Sequence, residues 1–273
     1  MRKAVNQWCF PTGLPLRDVF AVAAAASFDG VELNLSVPGD MGLTLDTTEK
    51  EALAIQQLAV DIGLHLPSVS TGLLWEWPLS SPDRTIRARA RDIVRQQIAL
   101  AAALKASTVL VVPGLVNETT SYEECFLRSQ EEVRVLAEDA GACGVTIGIE
   151  NVWNRFLLSP VEMARYVEEI GSAHVGVYFD VGNVLNFGYP DQWIQTLGKR
   201  IVKVHVKDFS LQIGNIHGFV PLLSGDVNWP AVVSALRVVG YDDYLTTEIM
   251  PYAHDPGRAV QDASTALDVI LGM

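Results

Sequence analysis

The stretch HVGVYFDVGN, His174 to Asn183, reads as a buried strand that ends on a charge. Val175, Val177, Tyr178, Phe179 and Val181 supply its apolar body, and Asp180 stands near its end. An uncompensated carboxylate at such a place would cost several kcal/mol. The same pattern recurs along the chain. VTIGIE (145–150) closes on Glu150, RIVKVHVKD (200–208) carries His205 late in a valine-rich run, and YLTTEIM (244–250) carries Glu248.

Outward from these runs, the chain alternates. Strand-like segments fall at about 4–9, 30–34, 65–70, 107–112, 145–150, 175–180, 201–207 and 244–249, and a helix-like segment follows each. The helices announce their starts. DTTE (46–49), SYEE (121–124) and SPVE (159–162) fit capping boxes. Ser81-Pro82, Ser159-Pro160 and Asp255-Pro256 place proline at a first helical position. Gly63, Gly144, Gly171, Gly198 and Gly240 fall where helices end. Between Arg84 and Leu104 the apolar positions keep helical spacing. Eight βα units with no Pro/Ser-rich linker predict an α/β fold: one (β/α)8 TIM barrel domain over 1–273. A doubly wound sheet is disfavoured, because WCFPTGLP after the first strand is not a G-x-G-x-x-G fingerprint.

Composition narrows the function. Apolar residues make up 49% and charged ones 19%, which supports a large core and excludes a disordered chain. A net charge of −12 repels phosphate backbones and membrane surfaces, so neither nucleic acid nor membrane is expected as a partner. Cys9, Cys125 and Cys143 lack metal spacing and read as reduced thiols, and no signal peptide follows Met1; a cytoplasmic location is expected. VFAVAAAA is too short to span a bilayer. A homo-oligomer is left open.

Barrel enzymes build their sites at the C-terminal ends of the strands. Glu150, Asp180, His205 and Glu248 fall at the ends of the fifth to eighth predicted strands, so their side chains meet over one half of the mouth. In the seventh strand Val202, Val204 and Val206 share the face toward the helices, which turns His205 inward. Three carboxylates packed together repel one another, and a single divalent cation resolves this. Three oxygen donors and one imidazole suit Mn²⁺ first, with Co²⁺, Mg²⁺ or Zn²⁺ as alternatives.

Together, GIENVWNRF, GVYFDVGNV, KVHVKDF and LTTEI resemble the xylose isomerase-like barrel superfamily, in particular its sugar-phosphate isomerase/epimerase branch with the ketose 3-epimerases. The resemblance is specific over about 145–250; over 1–140 it rests on strand spacing and FDGVEL. It implies that Glu150, Asp180, His205 and Glu248 hold one Mn²⁺-like ion, and that Glu150 and Glu248 are also the acid/base pair. Such a pair would take a proton from the carbon beside a ketose carbonyl and return it, through an enediolate. Return to the opposite face gives epimerisation; return to a neighbouring atom gives aldose–ketose isomerisation. The apurinic-site endonucleases of the same superfamily need further histidines. Here DVGN puts Asn183 where their D-x-x-H motif has histidine, and SVSTG and VVPG carry none. Alternatives are an inosose-type polyol ketone isomerase or dehydratase, and a sugar-binding barrel without catalysis.

The remaining strands are left to hold the sugar. Trp8 and LLWEWP (73–78), with Trp75, are candidates for an apolar wall. Glu32 faces inward and is expected to bond substrate hydroxyls or to pair with Lys203. Arg155, Asn183 and Lys207 are further candidate contacts, and His217 lies in a long loop placed to fold over the substrate. His65 and His174 begin their strands and belong to the far end.

Overall fold

A computed structural model describes residues 1–273. Eight strands form the barrel: β1 (Arg2–Asn6), β2 (Gly30–Ser36), β3 (Ser68–Thr71), β4 (Thr108–Val111), β5 (Thr146–Glu150), β6 (Val175–Asp180), β7 (Ile201–Val206) and β8 (Tyr244–Thr247). All pair in parallel with their sequence neighbours, and β8 pairs with β1, which closes the sheet. Around it lie α1 (Leu16–Ala25), α2 (Glu49–Ile62), α3 (Arg84–Ala103), α4 (Tyr122–Cys143), α5 (Pro160–Ile170), α6 (Pro190–Leu197), α7 (Trp229–Val238) and α8 (Pro256–Leu271).

Near-continuous apolar runs suit strands covered on both faces, which is why β5, β6 and β7 are so rich in Val and Ile. Their outward residues join the helices in one core cluster of 74 buried residues. No helix is long and apolar enough to cross a membrane.

The caps explain most helix ends. Ser121 caps α4 in a reciprocal box with Glu124, and Ser159 and Asp255 cap α5 and α8 just before a proline. Two expected starts move. The box at α2 is Thr48 with Glu51, not Asp46 with Glu49, because Thr47 Oγ1 accepts from the Thr44 amide and keeps 44–47 in a turn. At α3 the cap is Asp83, which accepts from the Thr85 amide, so Pro82 lies outside the helix.

The connections differ between the two ends. Those leading from a helix to the next strand are short, whereas those after β2, β3 and β7 run long. The long connections all open on the C-terminal side, above Glu150, Asp180, His205 and Glu248. The loop after β7 carries a two-residue antiparallel pairing, Asp208–Phe209 with Phe219–Val220. Its root is fixed by Asp208, whose buried carboxylate accepts from the amides of Phe209 and Val227 and from the Trp229 indole.

Candidate active site

Register builds the site. Asp180 on β6 lies opposite His205 on β7, and His205 lies opposite Thr246 on β8, two residues before Glu248. One irregularity sets the aim of β6. Its register with β7 shifts between Val177 and Tyr178. There the strands crowd: a Cβ at Gly176 would stand 2.4 Å from Val202 Cγ1, so only glycine fits. On the inner face, Gly148 leaves room for Tyr178, since a Cβ there would meet Tyr178 Cβ at 3.0 Å. Tyr178 can therefore lie across the barrel interior, 4.5 Å from the His205 ring.

Glu150, Asp180, His205 and Glu248 bring one donor atom each to within 4.8 Å of one another. The first three are buried, and the Glu248 side chain is 22% exposed. His205 Nδ1 is the atom that faces the carboxylates: 3.2 Å from Glu150 Oε1, 3.3 Å from Glu248 Oε2 and 4.0 Å from Asp180 Oδ2. Its Nε2 lies 2.6 Å from Glu32 Oε1. A carboxylate only accepts, so in the metal-free chain both ring nitrogens carry protons: burial disfavours the imidazolium, but Glu32 and Glu150 outweigh it and hold its pKa well above the ordinary value. A cation bound at Nδ1 would displace that proton, while Glu32 keeps the one on Nε2. A carboxylate behind a histidine is the usual support of a metal-ligating imidazole.

Glu32 itself is saturated. Asn6 Nδ2 and His205 Nε2 donate to Oε1, while Ser68 Oγ and the Tyr178 hydroxyl donate to Oε2. Burial alone would raise its pKa, but His205 and these donors hold it down at about 2. Burial pushes Glu150 up to about 7, against the pull of the His205 hydrogen bond, and it also raises Asp180 against the pull of Lys207. Asp180 Oδ1 accepts from the Asn183 amide, whereas Oδ2 is buried without a hydrogen bond. Lys207 Nζ lies 3.2 Å from that oxygen and 3.0 Å from Glu248 Oε2. Its pKa is raised: burial opposes the charge, but Asp180 and Glu248 outweigh it. A carboxylate oxygen without a hydrogen bond, an imidazole Nδ1 aimed at the cluster and two further carboxylates fit a hard or borderline divalent cation.

The other expected contacts scatter. Asn183 is buried, and its amide Nδ2 donates to the Asn151 carbonyl. Trp75 is 44% exposed at the rim, and Trp8, 42% exposed, stands near Gly72 on the same side. Arg155 is exposed on a left-handed turn (φ 60°), and His217 is exposed in a single 3-10 turn. One expectation fails: Lys203 does not pair with Glu32. It precedes His205 by two residues on β7, hence one layer lower, and its Nζ bonds Asp243 and Ser107 at the N-terminal end.

Several supporting groups escape a search for charges. Asn151 exchanges two hydrogen bonds with the Asp180 backbone. Cys9 accepts from the Ile249 amide and donates to the Thr247 carbonyl, holding the backbone on both sides of Glu248; burial keeps its thiol pKa up at about 12. Asn6, Ser68 and Ser70 are polar residues at inward positions of strands. For Ser68 and Ser70, their alternation in SVST was the available signal.

With this geometry described, comparison places the chain among known proteins. The family model for the xylose isomerase-like TIM barrel matches residues 20–269. The chain belongs to that family. The L-ribulose-5-phosphate 3-epimerase UlaE of Escherichia fergusonii is 25% identical over 261 residues, covering 95% of this chain and 91% of UlaE. A putative L-ribulose-5-phosphate 3-epimerase of Haemophilus influenzae, SgbU, is 25% identical over 205 residues, covering 75% and 72%. Among solved structures, an L-ribulose 3-epimerase superposes with a TM-score of 0.83 at 21% identity, covering 99% of this chain and 94% of that one. The IolI protein with a bound zinc atom superposes at 0.80 and 17% identity, covering 100% and 98%. At these identities the structural likenesses speak for the fold.

Proposed function

We propose that the protein is a divalent-metal-dependent ketose 3-epimerase. The observation that carries this is the cluster of Glu150, Asp180, His205 and Glu248 around a common point, with two glutamates on it. The names of the relatives, L-ribulose-5-phosphate 3-epimerases in sequence and ketose 3-epimerases in fold, support the same chemistry.

Glu150, Asp180, His205 and Glu248 would hold the cation, Mn²⁺ by preference. A cation held there would polarise a ketose carbonyl and offset the charge that develops on its oxygen. The chain's own groups do the rest. One of Glu150 and Glu248 takes the proton from the carbon beside the carbonyl; the other delivers a proton to the opposite face of the planar carbon. Burial raises the Glu150 pKa in the metal-free chain, and a bound cation would draw it back down, which favours the carboxylate form that acts as a base. Glu32 has no lone pair left for a substrate hydroxyl, so its role is to hold the His205 ring and tautomer. Lys207, at 3.0 Å from Glu248, is placed to orient that carboxylate and to bond a substrate oxygen. Trp8 and Trp75 would form the wall against the sugar carbons, with Arg155, Asn183 and His217 as outer contacts.

The substrate class follows from charge. The eight connections above the mouth contain only two basic residues of the Lys/Arg type, Arg155 and Lys207, and Lys207 is engaged by two carboxylates. The loop after β8 has none, and the start of α8 is capped by Asp255. Barrels that bind phosphate commonly do so at the loops after their last two strands. An unphosphorylated ketose is the better fit. The test is a panel of ketoses and ketose phosphates incubated in D₂O with Mn²⁺ and followed by NMR. Epimerised product carrying deuterium at C3, lost on chelation and regained with Mn²⁺, is expected. A fully active metal-free preparation would defeat the mechanism.

A further inference from the structure

The N-terminal end of the barrel, away from the proposed active site, holds a cavity of about 310 Å³ whose wall is basic. Arg2, Lys105 and Lys203 face it against a single lining carboxylate, Asp243, so three cations meet one anion in a chain of net charge −12. Lys203 is the built part. Its side chain is 3% exposed, and it reaches from β7 across the barrel base to Ser107, ahead of β4. An ammonium has three donors and no acceptor. Two are used, on Asp243 Oδ2 at 2.5 Å and Ser107 Oγ at 2.9 Å, and the third has no partner within the protein. Arg2 is held with its guanidinium carbon 4.1 Å above the Tyr244 ring, which orients the fork, yet the side chain makes no hydrogen bond and lies 3.8 Å from Asp243 Oδ1. Lys105 stands on a left-handed turn (φ 60°) at the opposite lip, with no ion pair.

We propose that this cavity binds a small oxyanion, the carboxylate or phosphate group of a metabolite. A planar guanidinium and two ammonium groups with unspent donors match the several lone pairs of such a group. The volume, at the small end for ligand sites, suits an acid of a few carbons rather than a nucleotide. Asp243 stays on Lys203, and the incoming anion takes the third Lys203 donor together with Arg2 and Lys105.

The probes are succinate and inorganic phosphate, titrated separately by calorimetry into the metal-loaded protein, which tells a carboxylate ligand from a phosphate one. Saturable binding of either is expected, at one site per chain. Arg2→Gln with Lys105→Asn should weaken it by roughly tenfold or more, since two charge-assisted contacts go. Asn tolerates the left-handed turn, and an unchanged melting temperature shows that the double variant is folded. Lys199→Gln, an exposed lysine outside the cavity, should leave binding unchanged and controls for net charge. Binding that survives the double variant would lie at the metal or on the general surface, and would overturn the proposal. Absence of saturable binding by both probes would overturn it as well.

Discussion

At the C-terminal end of the barrel, Glu150, Asp180 and Glu248 crowd one imidazole and one lysine; at the N-terminal end, Lys203 meets Asp243 and Ser107. Both sets of charges sit in or beside the same closed sheet, and β7 contributes to both through Lys203 and His205, with Lys207 just past its end. The difference lies in who completes them. At the base, the buried cation has its counter-ion within the chain. At the mouth, the carboxylates outnumber the protein cations, and Asp180 Oδ2 is left without a hydrogen bond. Buried charge is tolerated when paired, so the Lys203–Asp243 pair is balanced within the chain, with donors to spare for an anion, whereas the mouth needs a cation from outside to balance its carboxylates. Location on the barrel therefore separates two lysines of the same stretch, Lys203 and Lys207.

The sharpest way to break that contrast is at the two glutamates. Glu150→Gln or Glu248→Gln keeps shape and removes the base, so turnover should fall by about 10²–10⁴-fold. Each change also takes charge from the cation's shell, so metal content is measured alongside. A variant that retains metal and loses deuterium exchange at the epimerised carbon locates the defect in proton transfer. Near-normal turnover in both variants, with metal retained, would take the acid/base role away from these glutamates, whereas a parent chain that binds ketoses and turns none over would be a binding protein.

A smaller effect is expected one layer down. Glu32→Gln keeps one oxygen, enough for Asn6 and His205 or for Ser68 and Tyr178 but not for both pairs, and it removes the negative charge behind His205 Nε2. Metal affinity should drop by about 10–100-fold, the usual cost of losing such a partner. Competition against a chelating dye reads this without any substrate. Unchanged affinity would mean that Glu32 is a packing residue only.

The barrel was legible because its signals are local and repeated: eight strand-like runs, most helix caps and the C-terminal glycines each fall within about three residues of the observed elements, the first run ending late at 9 and the third starting early at 65. The convergence of Glu150, Asp180, His205 and Glu248 was legible because strand order fixes which ends are neighbours and parity fixes which side chains turn inward. What escaped depends on distance across the barrel. Glu32 lies 173 positions from His205 and could be assigned an inward direction but not a partner. Lys203 shares that direction yet ends one layer lower, and strand rise, not residue type, decides the layer. Asn183, Arg155 and His217 lie on connections whose course no periodicity dictates.

The smallest expected effects are the most diagnostic of the two ends, because they should differ in sign. Asp243→Asn leaves Lys203 buried at 3% exposure without its counter-ion. Breaking a fully buried pair costs more than breaking a surface pair; Asp243 is 32% exposed, so a loss of about 1–2 kcal/mol is expected. Asp180→Asn does the opposite in protein stripped of metal. Asn keeps the acceptor for the Asn183 amide, while one of the crowded negative charges disappears from a site where burial, with Glu248, disfavours it more than Lys207 and His205 favour it. Its stability should match or exceed that of the parent chain. Added Mn²⁺ should then stabilise the parent and not the Asp180→Asn variant, because ligand binding raises stability only through the folded state that binds it. Thermal melts of both variants, with and without metal, read all four outcomes. If Asp180→Asn destabilises the metal-free protein as much as Asp243→Asn does, the mouth is a self-sufficient ion-pair network like the Lys203–Asp243 pair, and the proposed cation site loses its main physical support.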